Sequence, residues 1–291
     1  MKTLAIIISY NFMPWIDRCL PSLLSSSAPM DILVVDNGST DDTLVALQER
    51  YPLVRVIANG KNLGFGAANN IGMQIAVGEG YDGVMLINQD AWLETNSLQQ
   101  LTDASNQYPV YGIVSPTHLT GDGSKLDPGF ECYIGSRENG TGGDCQLTVV
   151  NCQFINAALW YIPTDVIKKV GMFAPLFYHY GEDKDYVNRV HYHGYQIGYV
   201  PSAIGYHDRA ERPYNRARWL RTENVYHLSE YANINYSFPK AFVLGVLAPI
   251  KKAWKALLKG KGCDFIDYLN MSIRLLLNTY KVCKTRKQAK I

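Results

Sequence analysis

The sequence lacks any apolar run of the ~18 residues that a membrane-spanning helix needs. The longest candidate, residues 241–250, is interrupted by Pro249 and followed by two lysines. The first apolar run, residues 3–9, is short and has no small-residue cleavage site, so it indicates a buried strand and not a secretory signal. We therefore expect a cytoplasmic protein without a membrane-spanning segment.

Two further absences reduce the classes of function that the sequence allows. The six cysteines form no Cys-x-x-Cys pair, which in a cytoplasmic chain favours free thiols over disulfides or zinc. The first apolar run is not followed by the glycine fingerprint of a nicotinamide-dependent oxidoreductase. Gly64 and Gly66 match the first two glycines of that fingerprint, but they follow the third predicted strand. Asn69 stands where the fingerprint requires its third residue, Gly or Ala. A nicotinamide cofactor is therefore disfavoured.

Charge is distributed unevenly along the chain. The formal net charge is +2, but residues 240–291 contain twelve Lys or Arg against two Asp, a net of +10, which leaves −8 for the preceding part. Apolar residues accompany the basic ones in two stretches with helical spacing, 240–259 and 264–284. We predict a basic amphipathic helical tail over residues 238–291.

Apolar runs alternate with amphipathic stretches through residues 3–115. The pattern predicts strands at 4–8, 32–35, 54–58 and 84–87, with helices between them and a further helix at 97–107. Such alternation is typical of βαβ units and predicts an α/β fold with a mostly parallel, doubly wound sheet. Residues 112–150 are rich in Gly, Asp, Ser and Thr, so we predict loops and a small hairpin there.

Polar residues follow each of these strands, at the sheet edge where ligands bind in open α/β folds. A single polar tip is ordinary turn chemistry, whereas four in series indicate a binding site. A carboxylate at the second tip can accept a hydrogen bond from a nucleoside, and one at the fourth can bind a divalent cation beside diphosphate oxygens. The residues at the four tips are Ser9, Tyr10 and Asn11, then Asp36, then Asn62, Gly64 and Asn69, then Asn88, Gln89 and Asp90.

The densest acidic cluster is Glu182, Asp183 and Asp185, at the start of a predicted helix beside aromatic residues. Acids at this position stabilise a helix N-terminus without any ligand, but partial burial would raise a carboxyl pKa and suit it to general-base catalysis. Farther on, His207 ends a short extended run and is followed by five arginines between residues 209 and 221. These arginines fit either diphosphate binding or a solvated basic loop.

Taken together and in order, these segments resemble glycosyltransferase family 2 over roughly residues 3–230. The resemblance implies a GT-A fold, and the subgroup that the chain resembles contains rhamnosyltransferase-like enzymes of bacterial surface polysaccharide synthesis. The matching segments are Ser9-Tyr10-Asn11 and residues 34–41, 62–72, 88–90, 181–186 and 194–207.

The resemblance also implies an activity of the hexosyltransferase type. A sugar would move, with inversion, from a nucleoside-diphosphate sugar (dTDP-rhamnose or a UDP-sugar) to a hydroxyl of a lipid-linked bacterial surface glycan. Asp183 falls at the catalytic base, and Asp90 and His207 fall at the ligands of a divalent cation, Mg²⁺ or Mn²⁺. The other strand-tip residues would contact the nucleotide sugar.

Three more residues, Glu182, Asp185 and Arg221, are expected to contact the acceptor or to support the site. One departure from the family is that Asn88 and Gln89 precede Asp90 where the metal motif carries its first acid. With one carboxylate in place of two or three, the cation should bind weakly unless the nucleotide accompanies it.

These assignments predict a catalytic domain over residues 1–237, with a nucleotide-binding part (1–115) and an acceptor part (116–237), followed by the tail. Two interpretations of the tail stay open: attachment to the inner face of the plasma membrane, or packing on the catalytic domain or in a homodimer. A non-catalytic nucleotide-sugar-binding protein is the alternative function, although the acidic pair of the base is intact. No nucleic-acid partner is expected.

Overall fold

The structure, a computed structural model, describes residues 1–134, 148–209 and 215–290. Cys145, Arg212 and the middle of the predicted loop region 112–150 lie outside the described residues. The strands are β1 (Thr3–Ser9), β2 (Met30–Asp36), β3 (Arg55–Ala58), β4 (Gly83–Asn88), β5 (Ala91–Leu93), β6 (Tyr111–Thr120), β7 (Val150–Cys152), β8 (Leu159–Pro163) and β9 (Gln196–His207). The helices are α1 (Ile16–Leu24), α2 (Thr43–Arg50), α3 (Phe65–Gly78), α4 (Ser97–Gln107), α5 (Pro128–Ile134), α6 (Thr164–Val170), α7 (Glu182–Tyr192), α8 (Arg216–Ala232), α9 (Phe238–Phe242), α10 (Ala248–Leu258), α11 (Gly262–Leu277) and α12 (Thr279–Gln288).

All nine described strands belong to one sheet in the order β3-β2-β1-β4-β8-β6-β9-β5, with β7 paired to β9. The strands β3, β2, β1 and β4 are parallel to one another, and β8 is antiparallel to β4. Helices cover both faces, because Ala5 and Ile7 of β1 pack with α1, α2 and α4 while Leu4 and Ile6 pack with α3, α6 and α7. The predicted α/β class and the mostly parallel, doubly wound sheet are confirmed.

The other half of the sheet differs from the sequence-based expectation. Residues predicted to form loops include the ten-residue strand β6, which is parallel to β9 and antiparallel to β8. Its polar residues are compatible with burial because they have partners. The Ser115 hydroxyl donates to the Leu159 carbonyl oxygen at 2.7 Å and lies 2.8 Å from His118 Nε2. The extended run that ends at His207 is the twelve-residue strand β9.

The tail packs against α8. Helices α9 and α10 are continuous through a π-helical turn at Val243–Leu247, and with α11 and α12 they form an apolar core around Tyr231 of α8. The buried Arg286 guanidinium donates to the backbone carbonyl oxygens of Asn233 and Tyr236. The interpretation in which the tail packs on the preceding domain therefore describes this structure. No helix in the described part of the chain is long and apolar enough to cross a bilayer.

Candidate active site

A cavity of about 650 Å³ opens beyond the carboxyl end of β4, between the start of α7 and the end of β9. It brings together five residues that the sequence singles out: Asn88, Asp90, Glu182, Asp183 and His207. Aromatic and basic side chains complete its wall. The other lining residues are Phe65, Tyr133, Asn156, Ala157, Ala158, His179, Tyr180, Arg209, Arg218, Thr222 and Val225.

Strand pairing sets the position of the candidate cation ligands. Ala91 of β5 lies opposite His207 of β9 in an antiparallel pair, so Asp90 is adjacent to the histidine. Asp90 Oδ1 is 3.5 Å from His207 Nε2. Two ligands on one octahedral cation with ~2.1 Å bonds lie about 3 Å apart, so the donor atoms and their separation fit a divalent cation.

The protein offers that cation few ligands of its own. Within the described ranges, no group of three or more His, Cys, Asp or Glu side chains is placed to hold a metal. Asp90 and His207 supply one oxygen and one nitrogen, and a divalent cation of this class needs about six ligands. The remaining ligands would have to come from a diphosphate and water.

The acidic pair begins α7, directly after Gly181 in a left-handed conformation with φ 89°. Burial raises the pKa of Asp183, an effect opposed by its hydrogen bonds from backbone N–H groups and by the charge of Arg209. Asp183 Oδ1 accepts the Lys184 N–H at 2.7 Å. A carboxylate with an elevated pKa at a cavity wall is suited to remove a proton from a hydroxyl.

Glu182 is more deeply buried than its neighbour. Burial, and to a smaller extent the charge of Asp183, raises the pKa of Glu182 to about 7. Its Oε2 has no hydrogen-bond partner among residues 1–134, 148–209 and 215–290. Glu182 is therefore poorly suited to carry a charge in this environment.

Two predicted supporting residues do not reach the cavity. Asp185 points into the protein core, where its carboxylate accepts the Arg189 Nε–H at 2.9 Å in a buried ion pair. Arg221 is exposed on α8, whereas the residues of that helix that line the cavity are Arg218, Thr222 and Val225. Asp185 thus fixes α7, which is compatible with the expected supporting role, and a contact of Asp185 or Arg221 with the acceptor stays a prediction.

The residues predicted to contact the nucleotide sugar, which we call the nucleotide side, are held by one another. Asp36 is buried at the end of β2, and its carboxylate accepts hydrogen bonds from the Ser9 hydroxyl, the Gly38 and Ser39 N–H groups and the Ser39 hydroxyl. Four donors fill the acceptor positions of a carboxylate. Asp36 therefore shapes the loop, and its contact with a nucleoside stays a prediction.

The neighbouring loops follow the same pattern. The Gln89 amide exchanges two hydrogen bonds with the backbone of Tyr10, at 2.8 and 3.1 Å. Asn11 Oδ1 accepts the Thr40 N–H at 2.9 Å. These contacts tie the tips of β1, β2 and β4 together at the edge of the sheet where the sequence predicts nucleotide binding.

The loop before α3 is fixed in the same way. Asn62 Oδ1 accepts the Gly64 N–H at 2.8 Å. Asn69 is buried on α3 and donates to the Phe65 carbonyl oxygen at 3.0 Å. Both side chains therefore support the shape of this segment, and a direct contact of either with the donor stays a prediction.

Three residues with a place in the site were missed by sequence reasoning. Asn37 joins two loops, because its Oδ1 accepts from Asn59 at 3.0 Å. It stands in the segment after β2, so its position was a usable signal. Asn156 has a buried Oδ1 at the cavity without a partner in the described residues. The third is Asp127, which lies 3.6 Å from His207 and follows no recognisable motif.

Comparisons with known proteins show the family and the fold. Residues 4–157 match the family described as glycosyl transferase family 2. An N-acetylglucosaminyl-diphospho-decaprenol L-rhamnosyltransferase of Mycobacterium tuberculosis is 30% identical over 229 residues, which cover 70% of this chain and 75% of that protein. A chondroitin synthase of Escherichia coli is 33% identical over 136 residues, which cover 45% of this chain and 19% of that protein.

Solved structures share the fold at lower identity. GalNAc-T7 with UDP, GalNAc and Mn²⁺ superposes with a TM-score of 0.61 at 13% identity, covering 82% of this chain and 52% of that one. S. aureus TarS 1–349 with UDP gives 0.56 at 13%, covering 94% and 90%. The mannosyltransferase PcManGT of Pyrobaculum calidifontis with GDP-Man and Mn²⁺ gives 0.54 at 18%, covering 99% and 73%.

Proposed function

Because the chain belongs to glycosyl transferase family 2 and has the GT-A fold, it is a glycosyltransferase, and we propose that it transfers rhamnose or a related sugar to a lipid-linked glycan. The donor would be dTDP-rhamnose or a UDP-sugar, and the transfer would invert the anomeric centre. The named rhamnosyltransferase relative supports both the sugar and the diphospho-lipid acceptor. The reaction would extend a bacterial surface polysaccharide.

One observation carries this proposal: a candidate base and a candidate cation site share one cavity. Asp183 lies on the wall formed by α7, and Asp90 and His207 lie on the wall formed by β5 and β9. A donor whose diphosphate lies beside Asp90 would present its anomeric carbon toward the rest of the cavity. An acceptor hydroxyl could then approach that carbon from the side of Asp183.

The base acts by proton transfer. As the acceptor oxygen forms its bond to the anomeric carbon, the bond from that carbon to the diphosphate oxygen breaks, and Asp183 takes the hydroxyl proton. Burial helps, because it raises the pKa of Asp183 and makes it a stronger base once ionised. The backbone N–H of Lys184 holds the carboxylate in place.

Asp90 and His207 would hold the divalent cation, and their donor set fits Mg²⁺ or Mn²⁺. When bound, the cation would offset negative charge on the departing nucleoside diphosphate. Asn88 is the last residue of β4, and its side chain is an uncharged amide. Because the protein supplies so few charged ligands, cation and nucleotide should bind together.

The test is a transfer assay with dTDP-rhamnose and a panel of UDP-sugars on an N-acetylglucosaminyl-diphospho-lipid acceptor. We expect Asp183→Asn to lower turnover by ~10²–10⁴ while donor binding persists. Asp165→Asn, on the exposed surface of α6, is the matched control and should transfer normally. Transfer by Asp183→Asn at the wild-type rate would reject the base, and donor binding without transfer by the wild type would favour the non-catalytic alternative.

The location of the enzyme is part of the same proposal: a cytoplasmic protein attached by its tail to the inner face of the membrane. The tail helices have two apolar faces. On α11, Tyr268, Met271 and Leu275 pack toward α8. The opposite face exposes Ile266, Leu269, Ile273, Leu276 and Leu277, whose spacing places them on one side of the helix.

The preceding helix α10 also exposes apolar side chains. Trp254 is 58% exposed and Leu258 is 85% exposed, one helical turn apart. Exposed lysines accompany them: Lys251 and Lys255 lie on α10, and Lys259 directly follows its end. An apolar face bordered by basic residues is complementary to an anionic bilayer surface, where each basic residue contributes ~1 kcal/mol. A self-complementary homodimer contact would place these like charges close together.

Vesicle co-sedimentation tests this attachment. Truncation before the tail would uncover Tyr231, so substitution of exposed residues is the better probe. We expect binding that rises with anionic lipid and falls with salt, and that drops at least about tenfold in Trp254→Ala/Leu258→Ala. Leu53→Ala, at an exposed leucine of the catalytic domain, is the control. Equal vesicle binding by both variants, or a dimer that only the tail variant disrupts, would reject membrane attachment.

A further inference from the structure

Asp127 is a fully buried acid, with 0% of its surface exposed, immediately behind the candidate cation site. We propose that Asp127 is a positioning residue that fixes the proton of His207 on Nδ1, and thereby leaves Nε2 free to bind the divalent cation. The cation part of this inference rests on the function proposed above. The protonation part concerns the metal-free protein and stands separately.

The geometry places His207 between two carboxylates. Asp127 Oδ2 is 3.6 Å from His207 Nδ1, and Asp90 Oδ1 is 3.5 Å from His207 Nε2. Both Asp127 Oδ2 and His207 Nδ1 are buried, and neither has a closer hydrogen-bond partner in the described part of the chain. A small movement of either side chain would bring them into hydrogen-bond contact.

In the neutral form of His207, solvent access decides which nitrogen keeps the proton. A neutral imidazole has one N–H and one lone pair. The Asp90 side chain is 23% exposed and can be hydrated, whereas the Asp127 side chain is 0% exposed. A buried carboxylate oxygen without a donor is costly, so the proton is more stabilising on Nδ1. The lone pair of Nε2 then faces Asp90, as a metal ligand requires.

Asp127 also has a simpler structural role that must be separated from this one. It precedes α5, and its Oδ1 accepts the Phe130 N–H at 2.9 Å as an N-cap. Asn caps helices about as well as Asp. In Asp127→Asn the amide oxygen can therefore keep this bond, which turns the NH₂ group toward His207 Nδ1. The variant therefore keeps the cap, and it places a hydrogen-bond donor opposite His207 Nδ1 where the wild type has an acceptor.

The experiment is ¹⁵N NMR of the imidazole nitrogens in the metal-free full chain. The protein has six histidines, and the spectrum of His207→Gln assigns the resonances of His207. We expect the proton on Nδ1 in the wild type and on Nε2 in Asp127→Asn, with similar thermal stability. Asp122→Asn, at an exposed acid in the same connection between β6 and α5, is the matched control and should leave the tautomer unchanged.

The second arm measures Mn²⁺ binding in the presence of a nucleoside diphosphate, by electron paramagnetic resonance. Loss of an outer-shell carboxylate should weaken Mn²⁺ binding by about 10–100-fold in Asp127→Asn and leave Asp122→Asn unaffected. A wild-type proton on Nε2, protons on both nitrogens, or the same tautomer in wild type and Asp127→Asn would overturn the positioning role. The expected tautomers without any Mn²⁺ binding by the wild type would instead reject the proposed cation site.

Discussion

The nucleotide side and the catalytic side of the candidate site, the latter formed by the start of α7 and Asn156, differ in how their polar groups are satisfied. On the nucleotide side, the Asp36 carboxylate accepts four hydrogen bonds from its own and neighbouring loops, and the Gln89 amide is bound to the backbone of Tyr10. On the catalytic side, Glu182 Oε2 and Asn156 Oδ1 are buried without partners among the described residues. One side is complete before any ligand binds, and the other is not.

This difference indicates a division of labour. Loops that are internally hydrogen-bonded are preorganised, so a nucleotide would bind to a surface that needs little rearrangement. Buried polar groups without partners are costly, and they are tolerated where a ligand later supplies the missing hydrogen bonds. The stability of the fold should therefore depend on the nucleotide side, and its response to pH and ligands on the catalytic side.

The largest expected effect is a loss of stability when Gly64, in a loop of the nucleotide side, is replaced by alanine. Gly64 has φ 83° and ψ 165°, a conformation that is essentially restricted to glycine, and an added Cβ would lie 2.1 Å from the Tyr178 carbonyl oxygen. Strain and overlap together should lower the free energy of unfolding of Gly64→Ala by about 4 kcal/mol. Nucleoside diphosphate binding should fall with it, because this loop connects the tip of β3 to α3.

Gly60→Ala is the matched control for that variant. Gly60 also has a positive φ, 64°, but an added Cβ would meet nothing within 4 Å. Its cost should be only about 1 kcal/mol, the penalty of a left-handed alanine. Urea unfolding and calorimetry with UDP would measure both variants. Equal losses of stability at the two glycines would show that overlap with the Tyr178 carbonyl oxygen does not contribute to the effect of Gly64→Ala.

Sequence reasoning succeeds where the signal is local. The apolar runs of β1, β2 and β4 and the polar tips after them follow from strand periodicity, and the start of α7 places Asp183 at the cavity. The i,i+4 spacing of Asp185 and Arg189 was also visible, and would have indicated their ion pair. The orientation of these side chains, into the core or toward the cavity, depends on the packing of α7.

The failures involve partners distant in the chain. Strand β6 looks like a loop because it carries Ser115 and His118, which are compatible with a buried strand only when β8 and β9 flank it. Asp127 precedes Pro128 and Gly129, which alone indicates a turn. Its partner His207 is eighty residues away, and only the pairing of β6 with β9 brings the two together.

A smaller effect is expected on the catalytic side, where the ionisation of Glu182 should make the free energy of unfolding depend on pH. Burial raises the pKa of Glu182 from 4.5 to about 7, so between these pH values the folded state binds more protons than the unfolded state. The free energy of unfolding should therefore fall as pH rises through this window, by at most about 3 kcal/mol. Glu182→Gln cannot ionise and should lack this loss, so the variant should match the wild type near pH 5 and exceed its stability near pH 8.

Urea unfolding at both pH values measures the difference, with Glu131→Gln at an exposed position of α5 as the control that should follow the wild type. Parallel pH profiles for the wild type and Glu182→Gln would mean that Glu182 is as well satisfied as Asp36, and the contrast between the two sides would not hold at this residue.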